Sequence, residues 1–417
     1  MSRFKTIDDV WDFLNAIPMF QKSGAAASNF SLENIRAFCD HLGNPQDEFS
    51  SIHIAGTNGK GTTAHLLEQV YAEAGYKTGL FTSPHLLRYH ERFRLEKEEI
   101  SDKKILEFFQ KADDLLHEIP LSYFEISTAL TFWFFADQQV DVGIIETGLG
   151  GRLDSTNIIK PELSIITSIG MDHEAILGDR IEKIALEKAG IIKQNTPVIV
   201  GDLSEKAESV IKEVSLNRNA QLYKANDLKP EWKSGTVFLN NRSVQLNTKF
   251  REAVNKWNIA MVWLAIEVLK SKWNVSQENL IRGIETFDGV RARFEKIHTD
   301  YDWFFSGAHN SQALESSLNA IKEMKPIADT VLVFSLMGDK LNENTLEYFK
   351  GFKEVYFIEQ EGERAAKWSD VKDKIDATLL TESDKEKILN ELKTELVIFM
   401  GSFYFYPIVK RWITNVS

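Results

Sequence analysis

The sequence predicts a two-domain α/β protein with a mainly parallel sheet in its N-terminal part, and three observations carry that reading. At 417 residues the chain is too long for one typical core, on a prior of about 150 residues per domain. Short β-branched runs alternate with apolar segments of helical length, the mark of βαβ units. A glycine-rich turn containing a lysine joins the first such run to a helix: Ile52-His53-Ile54-Ala55-Gly56-Thr57-Asn58-Gly59-Lys60-Gly61-Thr62-Thr63.

The elements follow in order. The opening Met1 to Leu14 mixes acids into an amphipathic pattern and has no continuous apolar core, so it does not read as a secretory signal. Ile52 to Ala55 is a strand, and a helix runs from Thr63 to about Ala74. Lys77 to Thr82 is a second strand, ending at Ser83-Pro84-His85. Phe124 to Asp137 is an apolar helix, followed by buried parallel strands at Val140 to Glu146 and Leu163 to Ile169. Thr236 to Leu246 is a hairpin turning at Asn240-Asn241, and Val254 to Lys270 is a helix. The pattern breaks at Asp288-Gly289, which sets a boundary between domains 1–290 and 291–417. A second alternating series has strands near Trp303-Phe305, Thr330-Ser335, Val355-Ile358 and Leu396-Met400, with a solvated helix over Ser383 to Glu395.

Ligands of an open α/β sheet lie beyond the carboxyl ends of its strands. That rule places Lys60, Ser83, Glu146 and Asp172 with His173 together. The turn itself suits phosphate: its glycines bring N–H groups close to an anion, and the helix adds its positive end. Lys60 reaches the terminal phosphates, while Thr62 or Thr63 offers a hydroxyl to magnesium. Gly61 stands between lysine and hydroxyl, a spacing that differs from the general phosphate loop. Ser83, Glu146 and the loop threonines are hard oxygen ligands of the kind magnesium takes. His173 is a softer but acceptable ligand, with a purely structural role as the alternative.

Lys188 lies near a helix end before Gly190 and reads either as a surface lysine or, if buried, as an amine of lowered pKa. Such an amine takes up CO2 as a carbamate and presents oxygen to a metal. Ser306-Gly307-Ala308-His309-Asn310 follows a strand and precedes a helix. It is either a plain turn or a second nucleotide contact, with His309 on phosphate and Arg293 neutralising transferring charge.

Composition narrows the partners. With 49 Lys plus Arg against 61 Asp plus Glu, the net charge of −12 argues against a nucleic-acid surface. The single cysteine, Cys39, excludes an intrachain disulfide and a multi-cysteine zinc site. No apolar stretch approaches the roughly 20 residues of a membrane span, and the chain reads as cytoplasmic.

Together these residues resemble the folylpolyglutamate synthase and dihydrofolate synthase family, the folate branch of the Mur ligases. The likeness runs from Leu42-Gly43-Asn44-Pro45 to Gly401-Ser402. It includes Gly56 to Thr62, Thr82-Ser83-Pro84-His85-Leu86, Glu91-Arg92-Phe93-Arg94, Phe124-Glu125, Glu146 to Asp154, Asp172-His173, Ile176-Leu177-Gly178 and Glu187-Lys188-Ala189-Gly190-Ile191.

The resemblance implies an N-terminal Mur-ligase-type ATPase domain, a smaller C-terminal Rossmann-like domain, and an ATP- and Mg2+-dependent amide ligase acting as a monomer. ATP would phosphorylate the carboxylate of dihydropteroate or a reduced folate, and L-glutamate would attack the acyl phosphate. By the same resemblance, Gly56, Thr57, Asn58, Gly59, Lys60, Gly61 and Thr62 bind ATP together with Asn258, Arg293 and Ser306. Ser83, Glu146 and His173 hold magnesium, and Lys188 is carbamylated. Ser122, Tyr123, Phe124, Glu125, Leu153, Asp154 and Ser155 line the pterin side. The chain departs from the family at Ser306, where aspartate is usual, and at the hinge Val290-Arg291-Ala292-Arg293. The alternatives are a Mur-type ligase with another carboxylate acceptor and a non-catalytic nucleotide-binding relative.

Overall fold

The computed structural model describes residues 2–18 and 31–414. Its contacts group the chain into two compact units. The first comprises Met1–Glu231, Thr236–Thr248 and Asn255–Phe287, and the second Trp232–Gly235, Lys249–Val254 and Asp288–Ser417.

The first unit is built on an eight-stranded sheet, formed by β1 (Ser51–Ala55), β2 (Thr78–Phe81), β3 (Phe93–Leu95), β4 (Glu98–Glu99), β5 (Val142–Glu146), β6 (Leu163–Ile166), β7 (Val198–Val200) and β8 (Leu222–Lys224). The order is β4-β3-β2-β5-β1-β6-β7-β8. Five neighbouring pairs, from β2 through to β8, are parallel, and β3 and β4 add an antiparallel edge. β1, β5 and β6 are buried at every position, which explains their continuous apolar runs. Register sets Ile54 beside both Glu146 and Ile165, so these three strands end nearly level. The segments that leave them start at one edge.

The helix Tyr123–Asp137 packs beside this sheet and is buried from Glu125 to Phe135. It is apolar all round rather than striped, as expected of an interior helix. Ser122 caps it: the hydroxyl accepts from Glu125 N, and the Glu125 carboxylate accepts from Ser122 N.

Further along lie β9 (Pro230–Lys233), β10 (Thr236–Leu239) and β11 (Val244–Asn247). β10 and β11 pair antiparallel around Asn240–Arg242, the expected hairpin. The second unit carries β12 (Glu295–Lys296), β13 (Trp303–Ser306), β14 (Thr330–Ser335), β15 (Glu354–Phe357), β16 (Thr378–Leu379) and β17 (Leu396–Gly401). They form one sheet in the order β12-β13-β17-β14-β15-β16, parallel except for β12.

Of the boundaries that differ from the sequence reading, two matter for the site. The first long helix spans Lys60–Glu73, beginning at Lys60 instead of Thr63. Gly59, at φ 87°, supplies the left-handed entry that lets it start early. β6 stops at Ile166 instead of Ile169, because Thr167 to Gly170 turn their hydrogen bonds to the glycine-rich loop.

Candidate active site

Gly56 to Thr62 leave the end of β1 and enter the Lys60–Glu73 helix. The first helical bond runs from Thr63 N to Gly59 O at 2.9 Å, so the amides of Lys60, Gly61 and Thr62 belong to the open first turn. Thr57 and Asn58 differ from them. Thr57 N donates to Ser168 O at 2.8 Å, and Asn58 N donates to Ser168 Oγ at 2.9 Å. Ser168 Oγ and Thr167 Oγ1 donate to Asn58 O at 3.0 and 2.6 Å, and Gly170 N donates to Thr57 Oγ1 at 3.0 Å. These two residues fasten the loop in this conformation, and its open helical amides begin at Lys60.

The loop has no room for side chains at two places. A Cβ at Gly56 would sit 2.0 Å from Thr167 Oγ1, and one at Gly59 would sit 2.6 Å from Asn258 Oδ1. Asn258, on the helix Asn255–Val268, therefore reaches the loop. It accepts from Thr63 Oγ1 at 3.3 Å and donates to Asn255 Oδ1 at 2.8 Å. Thr63 is thus engaged with Asn258.

Lys60 Nζ donates to Gly56 O at 3.1 Å and lies 4.0 Å from Glu146 Oε1. Glu146, buried at the end of β5, accepts from Ser83 N at 3.3 Å. Gly61 leaves space beside it: a Cβ there would be 3.6 Å from Glu146 Oε2. Among the described residues no group of three or more His, Cys, Asp or Glu is gathered for a metal. One carboxylate, nearby hydroxyls and the oxygens of phosphate and water suit magnesium better than zinc. The residues present therefore fit a magnesium nucleotide.

His173 stands seven residues past the end of β6, at φ 50° before the short helix Glu174–Leu177. That corrects the expectation that it follows the strand directly. Its Nε2 lies 3.9 Å from Asp172 Oδ1. The hydrogen bond described above joins Ser83 to Glu146, and His173 has no part in it.

Lys188 is 3% exposed, which excludes the surface reading. Its Nζ donates to Gly56 O at 3.0 Å, so two lysines share that carbonyl. Burial, then the Lys60 cation, bring its pKa down to about 7, against the pull of Asp172 and Asp154. The lowered pKa favours the free amine, the form that reacts with CO2.

The residues expected on the pterin side fall into two sets. Asp154 is buried: Oδ2 accepts from Leu149 N and Oδ1 from Thr156 N, at 2.8 and 3.0 Å. Ser155 Oγ lies 2.6 Å from Thr128 Oγ1, and Ser122 Oγ donates to Glu125 at 2.7 Å. These four side chains build the loop and cap the helix. Tyr123, Phe124 and Leu153 are half-buried and present apolar surface.

In the second unit, Ser306 ends β13 and is buried. Its hydroxyl pairs with Ser317 Oγ at 2.8 Å, which donates to Glu252 Oε1 at 2.9 Å. Burial raises the Glu252 carboxyl, and the Ser317 hydrogen bond and then Arg293 partly offset it. Arg293 lies over the Phe403 ring, 4.4 Å from its centre, and the His309 ring is 5.9 Å from the same ring. His309 Nδ1 donates to Gly307 O at 2.7 Å, so a phosphate contact through Nε2 requires the imidazolium. Arg293, Ser306 and His309 thus gather within one unit.

Residues 54–266 match the Mur ligase middle domain, and 292–403 match the Mur ligase, glutamate ligase domain. The dihydrofolate synthase/folylpolyglutamate synthase of Bacillus subtilis is 30% identical over 410 residues, covering 91% of this chain and 94% of that one. The chain belongs to the folylpolyglutamate synthase and dihydrofolate synthase family of Mur ligases. The folylpolyglutamate synthase of Lacticaseibacillus casei is 27% identical over 96% of both chains. In structure this Mur ligase is similar to E. coli FolC in complex with ADP, with a TM-score of 0.85 and 27% identity over 100% of this chain and 99% of that one. What the sequence reading missed in this ligase is the Thr167-Ser168-Gly170 clamp. The run of small polar residues directly after a buried strand was the available signal.

Proposed function

We propose that this chain joins L-glutamate to dihydropteroate or to the terminal glutamate of a reduced folate, with ATP giving ADP and phosphate. The observation that carries the reading is the run of contacts from Lys188 and Lys60, both on Gly56 O, through Glu146 to Ser83 N in an ATP-dependent ligase of this family.

A carboxylate is a poor acyl donor because its oxygen leaves badly. In the proposed sequence a carboxylate oxygen of the acceptor attacks the γ-phosphorus of ATP and ADP departs. The glutamate amine then attacks the acyl carbon, phosphate departs, and the amine loses its proton. The open helix turn at Lys60 to Thr62 holds the phosphates, and Lys60 neutralises charge that grows as the phosphoryl group moves. Magnesium, held by Glu146, Ser83, Thr62 and His173, would supply charge neutralisation on the phosphate oxygens. Lys188, as its carbamate, would present oxygen to a metal. Tyr123, Phe124 and Leu153 would receive the pterin, with Ser122, Glu125, Asp154 and Ser155 as their frame.

The first unit thus serves as the ATP- and pterin-binding domain, and the second, with Arg293, Ser306 and His309, as the glutamate ligase domain. Among the described residues no helix is long and apolar enough to cross a membrane, and Cys39 is a buried free thiol. A cytoplasmic monomer is proposed.

The test is ATP- and glutamate-dependent phosphate release by purified protein, with dihydropteroate and tetrahydrofolate supplied separately and the amide products identified by mass. Product from either acceptor is expected. Tight ATP binding without product from any carboxylate acceptor would overturn the reading. Light scattering checks the monomer.

A further inference from the structure

Arg92 precedes β3 and is 7% exposed. A cation taken out of water is kept when it is paired or fully hydrogen-bonded, and Arg94, two residues on, follows that rule. Arg94 Nη2 lies 3.4 Å from the buried Glu68 carboxylate, and Nε and Nη2 both donate to Lys97 O.

Arg92 does not. Its Nε donates to His85 Nδ1 at 2.8 Å, and its guanidinium carbon lies 5.5 Å from the centre of the Tyr123 ring. Both partners are uncharged in that contact. Among the described residues its two terminal nitrogens have no acceptor and no carboxylate within ion-pair distance.

The His85 side of the pair is equally fixed. Arginine Nε–H only donates, so His85 Nδ1 accepts and the ring proton sits on Nε2. The turn carrying His85 is held by Glu91, whose carboxylate accepts from the amides of Leu86, Leu87 and Arg88 at 2.7, 3.0 and 2.9 Å. The same turn carries Ser83, whose amide reaches Glu146. The guanidinium fork of a largely buried arginine and an imidazole N–H are therefore set between the Ser83–Glu146 end and the aromatic surface of Tyr123. A guanidinium with two open terminal nitrogens matches the two oxygens of a carboxylate.

We propose that Arg92, with His85, binds a substrate carboxylate that does not react: the α-carboxylate of a glutamate. This rests on the function proposed above. Two sources carry that group, the terminal glutamate of a folyl acceptor and the incoming L-glutamate. Dihydropteroate lacks it, since its only carboxylate is the one activated. The site separates the two acceptors if it holds the acceptor's glutamate, and serves both alike if it holds the incoming one.

The test compares wild type, Arg92→Ala, Arg92→Lys and His85→Phe, with kcat and KM measured for tetrahydrofolate, dihydropteroate and L-glutamate. Calorimetric titration of tetrahydrofolate and L-glutamate without turnover runs alongside. Losing a charged hydrogen-bond partner is expected to raise the affected KM and Kd roughly 10- to 100-fold in Arg92→Ala. Arg92→Lys recovers part, and His85→Phe gives a smaller rise of the same pattern. A rise for tetrahydrofolate with dihydropteroate unchanged assigns the acceptor's α-carboxylate. A rise for L-glutamate with either acceptor assigns the incoming amino acid. Unchanged KM and Kd throughout, or an equal fall in kcat for both acceptors with no change in KM, would overturn the site. If Arg92→Ala does not fold, Arg92→Lys and His85→Phe decide by the same criteria. A wild type that forms no amide product removes the proposed function, while the titrations still judge the site.

Discussion

The two units each contain a strand, a turn and a helix in the same succession, yet the turns are built for different ends. In the first, β1 passes through Gly56 to Thr62 into Lys60–Glu73, and the capping position is Gly59, which has no side chain. In the second, β13 passes through Ser306 to Asn310 into Ser311–Met324, and the capping residue is Asn310, whose Oδ1 accepts from Ala313 N at 3.0 Å. A helix N-terminus carries unpaired amides and a partial positive charge. With glycine at the cap, those amides remain for a phosphate. With asparagine there, the protein's own oxygen takes that place. The topology is shared, and the capping residue decides whether the turn offers an anion site.

Substitutions at these turns break the comparison at its strongest point first. Lys60→Met removes the cation beside Gly56 and Glu146, and ATP-dependent phosphate release is expected to fall roughly 10²- to 10³-fold with the circular dichroism spectrum unchanged. A fall smaller than tenfold would mean that charge at this turn is supplied elsewhere.

Lys188→Met probes the second lysine on the same carbonyl. Folding lowers this amine from its ordinary 10.5 to about 7, so between those values the unfolded chain holds a proton that the folded chain has released. Wild-type stability therefore gains from this group as pH rises through that window. The variant lacks the dependence, so its advantage in urea unfolding is largest below about pH 7 and fades toward 10.5, in CO2-free buffer. A difference independent of pH would show that the amine is not desolvated.

Gly59→Ala places a Cβ 2.6 Å from Asn258 Oδ1 on a backbone at φ 87°. Strain at such a position is on the order of 1–2 kcal/mol, and ATP affinity measured by titration should weaken by about tenfold. Asn310→Ala removes the side-chain cap of the second turn, and the expected cost is about 1 kcal/mol in urea unfolding. Loss of that size at Asn310 beside intact stability in Lys60→Met would confirm that one turn is built for holding a ligand and the other for holding itself.

Much of this was legible in residues alone. Lys60, Ser83 and Glu146 were placed together from the ends of three runs, because parallel strands buried on both faces are written as continuous apolar stretches. The hairpin at Asn240-Asn241 and the four main strands of the second sheet were readable for the same local reasons. The short edge strands Phe93–Leu95 and Glu98–Glu99 were not, since two or three residues carry no period. β7 and β8 are three residues each and escaped likewise.

What the sequence determined by itself is the list of chemical groups and their order: a glycine turn with a lysine, oxygen ligands after strands, and a lysine before a glycine. Those properties depend on neighbours along the chain. The tertiary structure alone decided that Lys188 is buried against Gly56 O, that Asp154 and Ser155 hold their own loop, that Thr57 and Asn58 are fastened by Thr167 to Gly170, and that Arg92 is enclosed without a counter-charge. Each of those depends on what lies opposite a side chain, and the partners of Ser155 and Lys188 lie 27 and 132 residues away in the chain. Desolvation and hydrogen-bond satisfaction are set by that neighbourhood, and no local pattern encodes it.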